Sequence, residues 1–497
     1  MNELIPLIVI IPLICALLLN LLHGKNRISR IMALIVAIII PIIALVASNG
    51  LHFFGGHAPL TFNPSLLESL PASLLSSRVI LFHPAITYSL AGLEKIFIFI
   101  LGIVIFLALF TYFNKYKKVS GPYLFLIFMG TAAVSAMLLS DDIFNMYIFF
   151  EIAALTQTGI ILASNTEGST ETALKYMILG SIGGPILLLG IGFVLGVIGS
   201  VNITDIVYAI HTGYVNPYSP ALIIGFAMIF FGWLYASGLP PFNTIKSLIY
   251  SKGTPESSAI LTTFSVLTMV AFGLVMFRIF GYLSVYKITI MLFSLLAMVL
   301  GVSMAVVQTD YRKMLGFLAV GELGFIAIGF GIGTKLSMTA GLFQAFNDIV
   351  ITSLLFIGFG IVYYLTGTSD TRKLGGLISL NPKVSIMILL GGLALAGVPP
   401  FNGFQSKLML VQSALNAGFP EIAIIIVLVS IVVFMTFVKA FHSIYLKPKP
   451  KDLSFVHKEV PSLAIVSIAI LLIICLVIGL DPNLITYSFG QYLGGLI

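Results

Sequence analysis

Cysteine, tryptophan and charge are what this 497-residue chain has least of, and each scarcity removes a class of function. Its two cysteines, Cys15 and Cys475, both lie within apolar runs. They form no disulfide framework, and an iron–sulfur cluster takes about four ligands. The seven histidines, His23, His52, His57, His83, His211, His442 and His457, show no metal-ligand spacing. No glycine-rich phosphate loop follows a strand pattern. No cofactor, metal or catalytic centre is therefore expected in this chain; if it belongs to a redox system, the redox chemistry is elsewhere. Charged residues make up 9% of the chain, against roughly 25% in soluble domains. The net charge of +7 concerns membrane topology rather than nucleic acid.

Apolar residues, by contrast, make up 59%. They fall in continuous runs of about twenty residues, the length of a membrane-spanning helix, without the ten-residue alternating segments of a barrel. The expected fold is an all-α polytopic membrane protein of about fourteen spans: 4–22, 31–48, 96–113, 121–139, 143–163, 174–198, 221–243, 257–281, 286–306, 313–332, 336–366, 384–412, 421–445 and 461–480. The first lacks a basic leader and a small-residue cleavage site, and reads as a retained span. Segment 49–95 is the longest polar-leaning connection.

With the N-terminus outside, nineteen of the 25 Lys and Arg fall on inner loops and helix ends and five outside. Lys407 alone lies deep within a span. This bias predicts both termini outside, in a cell membrane. The alternating run Lys447-Pro448-Lys449-Pro450-Lys451 forms a basic, non-helical inner loop suited to orientation or lipid contact.

One phrase occurs twice. Gly238-Leu239-Pro240-Pro241-Phe242-Asn243 recurs as Gly397-Val398-Pro399-Pro400-Phe401-Asn402. Proline inside a helix removes backbone donors and breaks it, and broken backbone at membrane depth survives only where protein or a wet cavity surrounds it. Such breaks in matching positions of two halves point to a transport site. The copies fall in spans seven and twelve, an odd number apart, which predicts two inverted five-helix repeats. The expected organisation is 1–120 (three helices and a surface loop), 121–281 (first repeat), 286–445 (second repeat) and 446–497 (basic loop and last helix).

Charges at this depth cost about 2.5 kcal/mol or more each, so every one needs a reason. Glu151, in span five, has no neutralising residue one turn away. Its reading is a proton or ion site beside another helix, or a protonated acid bonded between helices. Lys407, just past the second break, is a proton carrier or a buried counter-ion. Lys175, at the start of span six, either snorkels to the surface or partners Glu151. Lys246, beyond the first break, reads as a snorkelling orientation signal. Glu322 and Asp348 are further intramembrane acids; Gln344, Asp348 and Thr352 share one helical face, as a wet path or as interhelical hydrogen bonding. Asp141 and Asp142 are expected to be solvated.

Five stretches, Phe149-Phe150-Glu151, Ala173-Leu174-Lys175-Tyr176, the two Pro-Pro-Phe motifs and Gly403-Phe404-Gln405-Ser406-Lys407, resemble the antiporter-like subunit family shared by Mrp-type sodium/proton antiporters, respiratory complex I and membrane-bound hydrogenases. Tyr311-Arg312-Lys313-Met314-Leu315 and Leu374-Gly375-Gly376-Leu377 are similar landmarks. The resemblance runs along nearly the whole chain and is clearest from about Phe144 to Gly418. It implies that Glu151 pairs with a span-seven lysine, and that further Lys or His residues continue a mid-plane axis to Lys407. The chain departs from that pattern. Ala236 stands at the span-seven lysine position. Asn243 and Ile245 replace the usual His and Trp, and Val270 lies near the span-eight Lys or His position. Gln344 and Asp348 stand where His is common, Thr352 where Lys is common, and Glu322 where Gln is common.

The resemblance implies a subunit without redox centres in a multi-subunit, redox-driven ion-translocating complex, best matched by the Mrp-D-like subunit of an archaeal-type membrane-bound hydrogenase or its sulfur-reducing relative. Protons or sodium ions would pass by charge relay through Glu151, Lys175, Glu322, Asp348 and Lys407. Other membrane subunits, peripheral iron–sulfur subunits and lipids are the implied partners. The alternatives are a cation/proton antiporter without redox partners, a stand-alone exchanger, and a scaffold that has lost transport.

Overall fold

The computed structural model describes residues 2–22, 26–53, 86–116, 120–450, 455–456 and 459–494. In chain order the helices are α1 (Leu7–Leu21), α2 (Asn26–Val46), α3 (Gly92–Lys115), α4 (Gly121–Leu139), α5 (Ile143–Ser164), α6 (Ser169–Ile198), α7 (Ile203–His211), α8 (Pro220–Ser237), α9 (Asn243–Lys252), α10 (Pro255–Phe280), α11 (Ser284–Val306), α12 (Tyr311–Ile332), α13 (Lys335–Thr366), α14 (Leu377–Leu380), α15 (Pro382–Ala396), α16 (Asn402–Asn416), α17 (Pro420–Phe441), α18 (Ser462–Leu480) and α19 (Asn483–Gly494). Two short strands, β1 (Gly50–Phe53) and β2 (Thr87–Leu90), pair antiparallel with Gly50 opposite Leu90. Residues 54–85 of the long connection, with Arg78, lie outside the described residues, as do Lys25, Lys117, Lys118, Lys451 and Lys458.

Twelve described helices are long and apolar enough to cross a membrane, and α1 and α15 are shorter apolar helices. The fourteen expected spans thus include two that do not qualify by length. In α15 the reason is the break itself: expected span 384–412 is two helices, α15 and α16, and the span expected to end at 243 continues past its own break as α9.

Local chemistry sets the helix ends. Ser219 and Thr254 precede helices that begin with Pro220 and Pro255, and their hydroxyls accept the N–H of Leu222 and of Ser257. Proline suits that first position because its missing N–H would have had no helical partner. Gly238 and Gly397 end α8 and α15 in the left-handed conformation, each at φ 77°, a turn that glycine adopts without a Cβ penalty. Both Pro-Pro bonds that follow are cis.

Three helices form the interior. Pro255–Met276 of α10, Met314–Ile332 of α12 and Ser337–Val362 of α13 are buried without interruption. Helix α13 packs against α10, α12, α15, α16, α18 and α3. The neighbour relations also recur. Helix α4 packs on α5, α5 on α6, α6 on both α8 and α9, and α10 on α4, α8 and α9. The same relations hold, in order, among α11, α12, α13, the broken pair α15/α16, and α17. Five spans, the fourth of them broken, are thus used twice.

Two edges differ from the sequence expectation. Asp141 and Asp142 are buried rather than solvated. Asp142 caps α5 by accepting the Asn145 N–H at 2.7 Å. Asp141 pairs with Arg278 at 2.9 Å and accepts the Thr204 hydroxyl at 2.6 Å. Lys115, counted as an inner helix-end charge, makes a 2.7 Å ion pair with Glu256 in which both side chains are 1% exposed. It ties α3 to the start of α10.

Gly479 of α18 lies against the second break: a Cβ there would meet the Pro400 carbonyl and the backbone of Phe401 and Asn402. Overpacking of this kind typically costs about 1–3 kcal/mol. Gly479→Ala is expected to lower the thermal unfolding midpoint of the purified chain, whereas Gly490→Ala, with nothing near its Cβ, leaves it unchanged or raises it.

Candidate functional site

Each helix break carries one buried lysine. At the second, Lys407 of α16 has a side chain 6% exposed, and its ammonium donates to Glu322 Oε1 of α12 at 2.9 Å and to the Leu395 carbonyl at 2.7 Å. That carbonyl belongs to the last turn of α15, where helical acceptors lose their intrahelical donors and where a cation is favoured by the helix dipole. The other carboxylate oxygen of Glu322 accepts from Gln344 Nε2 of α13 at 2.7 Å, and Gln344 Oε1 accepts the Ser406 hydroxyl at 2.6 Å. Lys407 also lies 4.4 Å from the centre of the Phe325 ring. Asn347 and Asn402 clamp the break to α13: Asn347 donates to the Asn402 carbonyl at 3.0 Å, and Asn402 Nδ2 donates to Asn347 Oδ1 at 2.8 Å. A cavity of about 390 Å³ between the break and α17 is bordered by Lys407.

At the first break, Lys246 does not snorkel. It is 0% exposed, and its ammonium donates to Gln157 Oε1 of α5 at 3.3 Å, Tyr176 OH of α6 at 3.1 Å and Ser265 Oγ of α10 at 3.0 Å. These partners satisfy its three donors with neutral groups. The reason is positional. A Cβ on Gly238 would strike the Lys246 stem, and one on Gly397 would touch the Lys407 stem. Each break's left-handed glycine therefore leaves room for a lysine folded back over it. Lys246 stands eight residues past Gly238 and Lys407 ten past Gly397. A gapless comparison sets Leu248 opposite Lys407 and hides the match. The signal available in the sequence was the polar set Gln157, Tyr176 and Ser265 in three separate spans.

Glu151 and Lys175 are not partners. Lys175 pairs with Glu171 one turn before it, at 2.5 Å, and the two side chains are 55% and 69% exposed. Glu151 is half-buried on α5, its carboxylate lying where a Cβ on Gly184 of α6 would be. On the same stretch of α6 a Cβ on Gly180 or Gly183 would meet Tyr235, whose ring stacks on Tyr176 at 5.4 Å and whose hydroxyl donates to the Tyr176 carbonyl at 3.2 Å. The tyrosine pair thus stands between Glu151 and Lys246. Asp348, 1% exposed, lies one turn beyond Gln344 on α13. Thr352, one turn further, comes within 3.5 Å of the Thr262 hydroxyl on α10. Ala236 is buried at the end of α8.

Two lysines at two glycine–proline breaks, one salt-bridged and one held by neutral groups, thus lie buried among carboxyl, amide and hydroxyl side chains. Among the described residues no group of His, Cys, Asp and Glu has the arrangement of a metal site.

Comparison with known proteins gives the same architecture. Residues 140–436 match the family described as NADH:quinone oxidoreductase/Mrp antiporter, TM. The chain is 37% identical over 494 residues to an uncharacterised protein of Methanocaldococcus jannaschii, covering 98% of this chain and 97% of that one. A chain in the structure of the Mrp complex from Dietzia sp. superposes with a TM-score of 0.84 at 20% identity, covering 100% and 98%. A chain of the membrane-bound sulfane sulfur reductase, an archaeal respiratory membrane complex, also superposes at 0.84, with 21% identity and 99% and 97% covered. The chain belongs to the NADH:quinone oxidoreductase/Mrp antiporter transmembrane family.

Proposed function

We propose that the chain is an antiporter-like membrane subunit of a multi-subunit, redox-driven complex, through which protons or sodium ions cross a cell membrane. The observation that carries this reading is the buried Glu322–Lys407 pair at a helix break, 1% and 6% exposed. Burying two charges costs several kcal/mol per ion before their attraction returns any of it, and charges at membrane depth mark ion pathways. The likeness to a chain of an archaeal respiratory complex supports the redox part. Partner membrane subunits and peripheral iron–sulfur subunits would then supply the driving reaction. The two repeats would be related by inversion, and both termini would lie outside. With Lys246 and Lys115 set aside as buried, seventeen inner cations still outweigh five outer ones.

In this reading charge enters at Glu151, passes the Tyr235–Tyr176 pair to Lys246, and continues past Asp348 to Glu322 and Lys407. Each change of charge alters the next group through low-dielectric surroundings. Lys246 takes the place expected for Lys175, which lies at the surface on its own salt bridge. A cation/proton antiporter without redox partners is the second reading, favoured by the equal superposition on the Mrp complex. The lysine at each break argues against a scaffold that has lost transport.

Removing a positioned proton-transfer group typically slows its step by about 10²–10⁴-fold. In the assembled complex, Lys407→Met and Lys246→Met are each expected to cut ion translocation by that order, while Lys175→Met leaves it within a factor of two. Unchanged translocation in both buried-lysine variants would overturn the reading and leave a scaffold. Translocation by the purified chain alone in liposomes would instead favour a stand-alone exchanger.

Stability should separate the two partners of the ion pair. Lys407→Met leaves a buried carboxyl unpaired, a change that costs about 3–5 kcal/mol when the remaining group stays charged. The double variant Lys407→Met/Glu322→Leu is expected to recover most of the lost unfolding midpoint, measured by thermal denaturation of the purified chain.

A further inference from the structure

Asp348 is a buried acid whose side chain nothing holds. It is 1% exposed, and neither carboxyl oxygen has a hydrogen-bond partner. The polar groups nearest along its helix are committed elsewhere. Gln344, one turn before, donates to Glu322. Thr352, one turn after, donates to the main-chain carbonyl of Asp348 at 2.7 Å rather than to its carboxyl. An ionised carboxylate without donors in such a place is far costlier than a protonated one, so Asp348 holds a proton in the arrangement seen.

Asp348 shares its face of α13 with Gln344, which donates to Glu322 and accepts from Ser406, the neighbour of Lys407, beside the ion pair of the second break. From the other side Thr352, one turn past Asp348, reaches the Thr262 hydroxyl of α10 at 3.5 Å, one turn before Ser265, which holds Lys246. Asp348 therefore stands between the two half-sites. Lys407 can exchange partners: its ammonium has three donors, of which Glu322 and the Leu395 carbonyl take two. Its four-carbon stem is flexible.

We propose that Asp348 is the alternate partner of Lys407, and that the elementary step of the second half-site is exchange of the lysine between Glu322 and Asp348, with one proton moving the opposite way. In the arrangement seen, Glu322 is anionic, Lys407 cationic and Asp348 neutral. In the other, Lys407 faces an anionic Asp348, and Glu322 carries the proton. Only O–H bonds break and form, and the net charge of the three groups is zero in both. The lysine's positive charge moves towards α13 while the proton's moves back to Glu322, so the step relocates the ion pair from α12 to α13 without net transfer of charge. The inference rests on the charge-relay reading above and specifies which group moves.

Infrared difference spectroscopy of the full chain in lipid nanodiscs tests it, because protonated carboxyls have a C=O stretch separate from carboxylates and amides. Asp348→Asn is expected to remove one protonated-carboxyl band. Glu322→Gln should also remove one, since Lys407 then passes to Asp348 and ionises it. Lys407→Met should add one, from Glu322. A Glu322→Gln chain that keeps every wild-type band overturns the exchange, as does an Asp348→Asn chain that loses none. If Asp348→Asn does not fold, Glu322→Gln and Lys407→Met decide between them. The bands need neither partner subunits nor an ion gradient. Unchanged bands alongside abolished translocation would sink the exchange and spare the function, while the expected bands alongside unchanged translocation would do the reverse.

Discussion

Backbone carbonyls in an apolar interior must find donors, and an interrupted helix has carbonyls to spare. At the second break the Leu395 carbonyl takes its donor from Lys407. That single hydrogen bond draws a lysine into the protein, and the rest follows from holding it there. A carboxylate must face it, so Glu322 lies on α12, one of the three interior helices. An amide must fix that carboxylate, so Gln344 reaches across from α13. A hydroxyl must fix the amide, so Ser406 returns to the broken helix and closes a ring of side chains. Such networks hold only when every member is satisfied. Asp348 is the member beside them that is not.

The first break obeys the same constraint with different residues. Its lysine is oriented by an amide, a phenol and an alcohol. A charge held by neutral dipoles has no fixed counter-charge and responds to whatever charge changes nearby. The two breaks share a backbone form and differ in how firmly each retains its lysine.

Membrane class, the paired breaks and the burial of Glu322 and Lys407 were legible in the sequence because they rest on composition, on position within apolar runs and on one repeated phrase. The failures came from depth. Lys246 and Lys175 each stand near the end of an apolar run and look alike in one dimension. One folds back over a left-handed glycine into the interior, and the other turns outward onto Glu171. Asp141 and Asp142 were misread for a related reason: neither the Arg278 side chain, 137 residues away, nor the cap on α5 has a local pattern. The Gln344–Asp348–Thr352 face was visible from helical spacing, but spacing could not say that two of its members were already engaged and one was free.

Helix α9 runs along α12, and the closest approach is backbone to backbone: a Cβ on Gly316 would meet the carbonyl of Ser247, the residue next to Lys246. Gly316 lies six residues before Glu322, about 9 Å along the same helix. With no side chain between them to yield, the rod that carries one half-site's base and the rod that carries the other's acid bear directly on each other. A shift in the first break would thus reach the second as displacement of a rigid body, alongside any electric field.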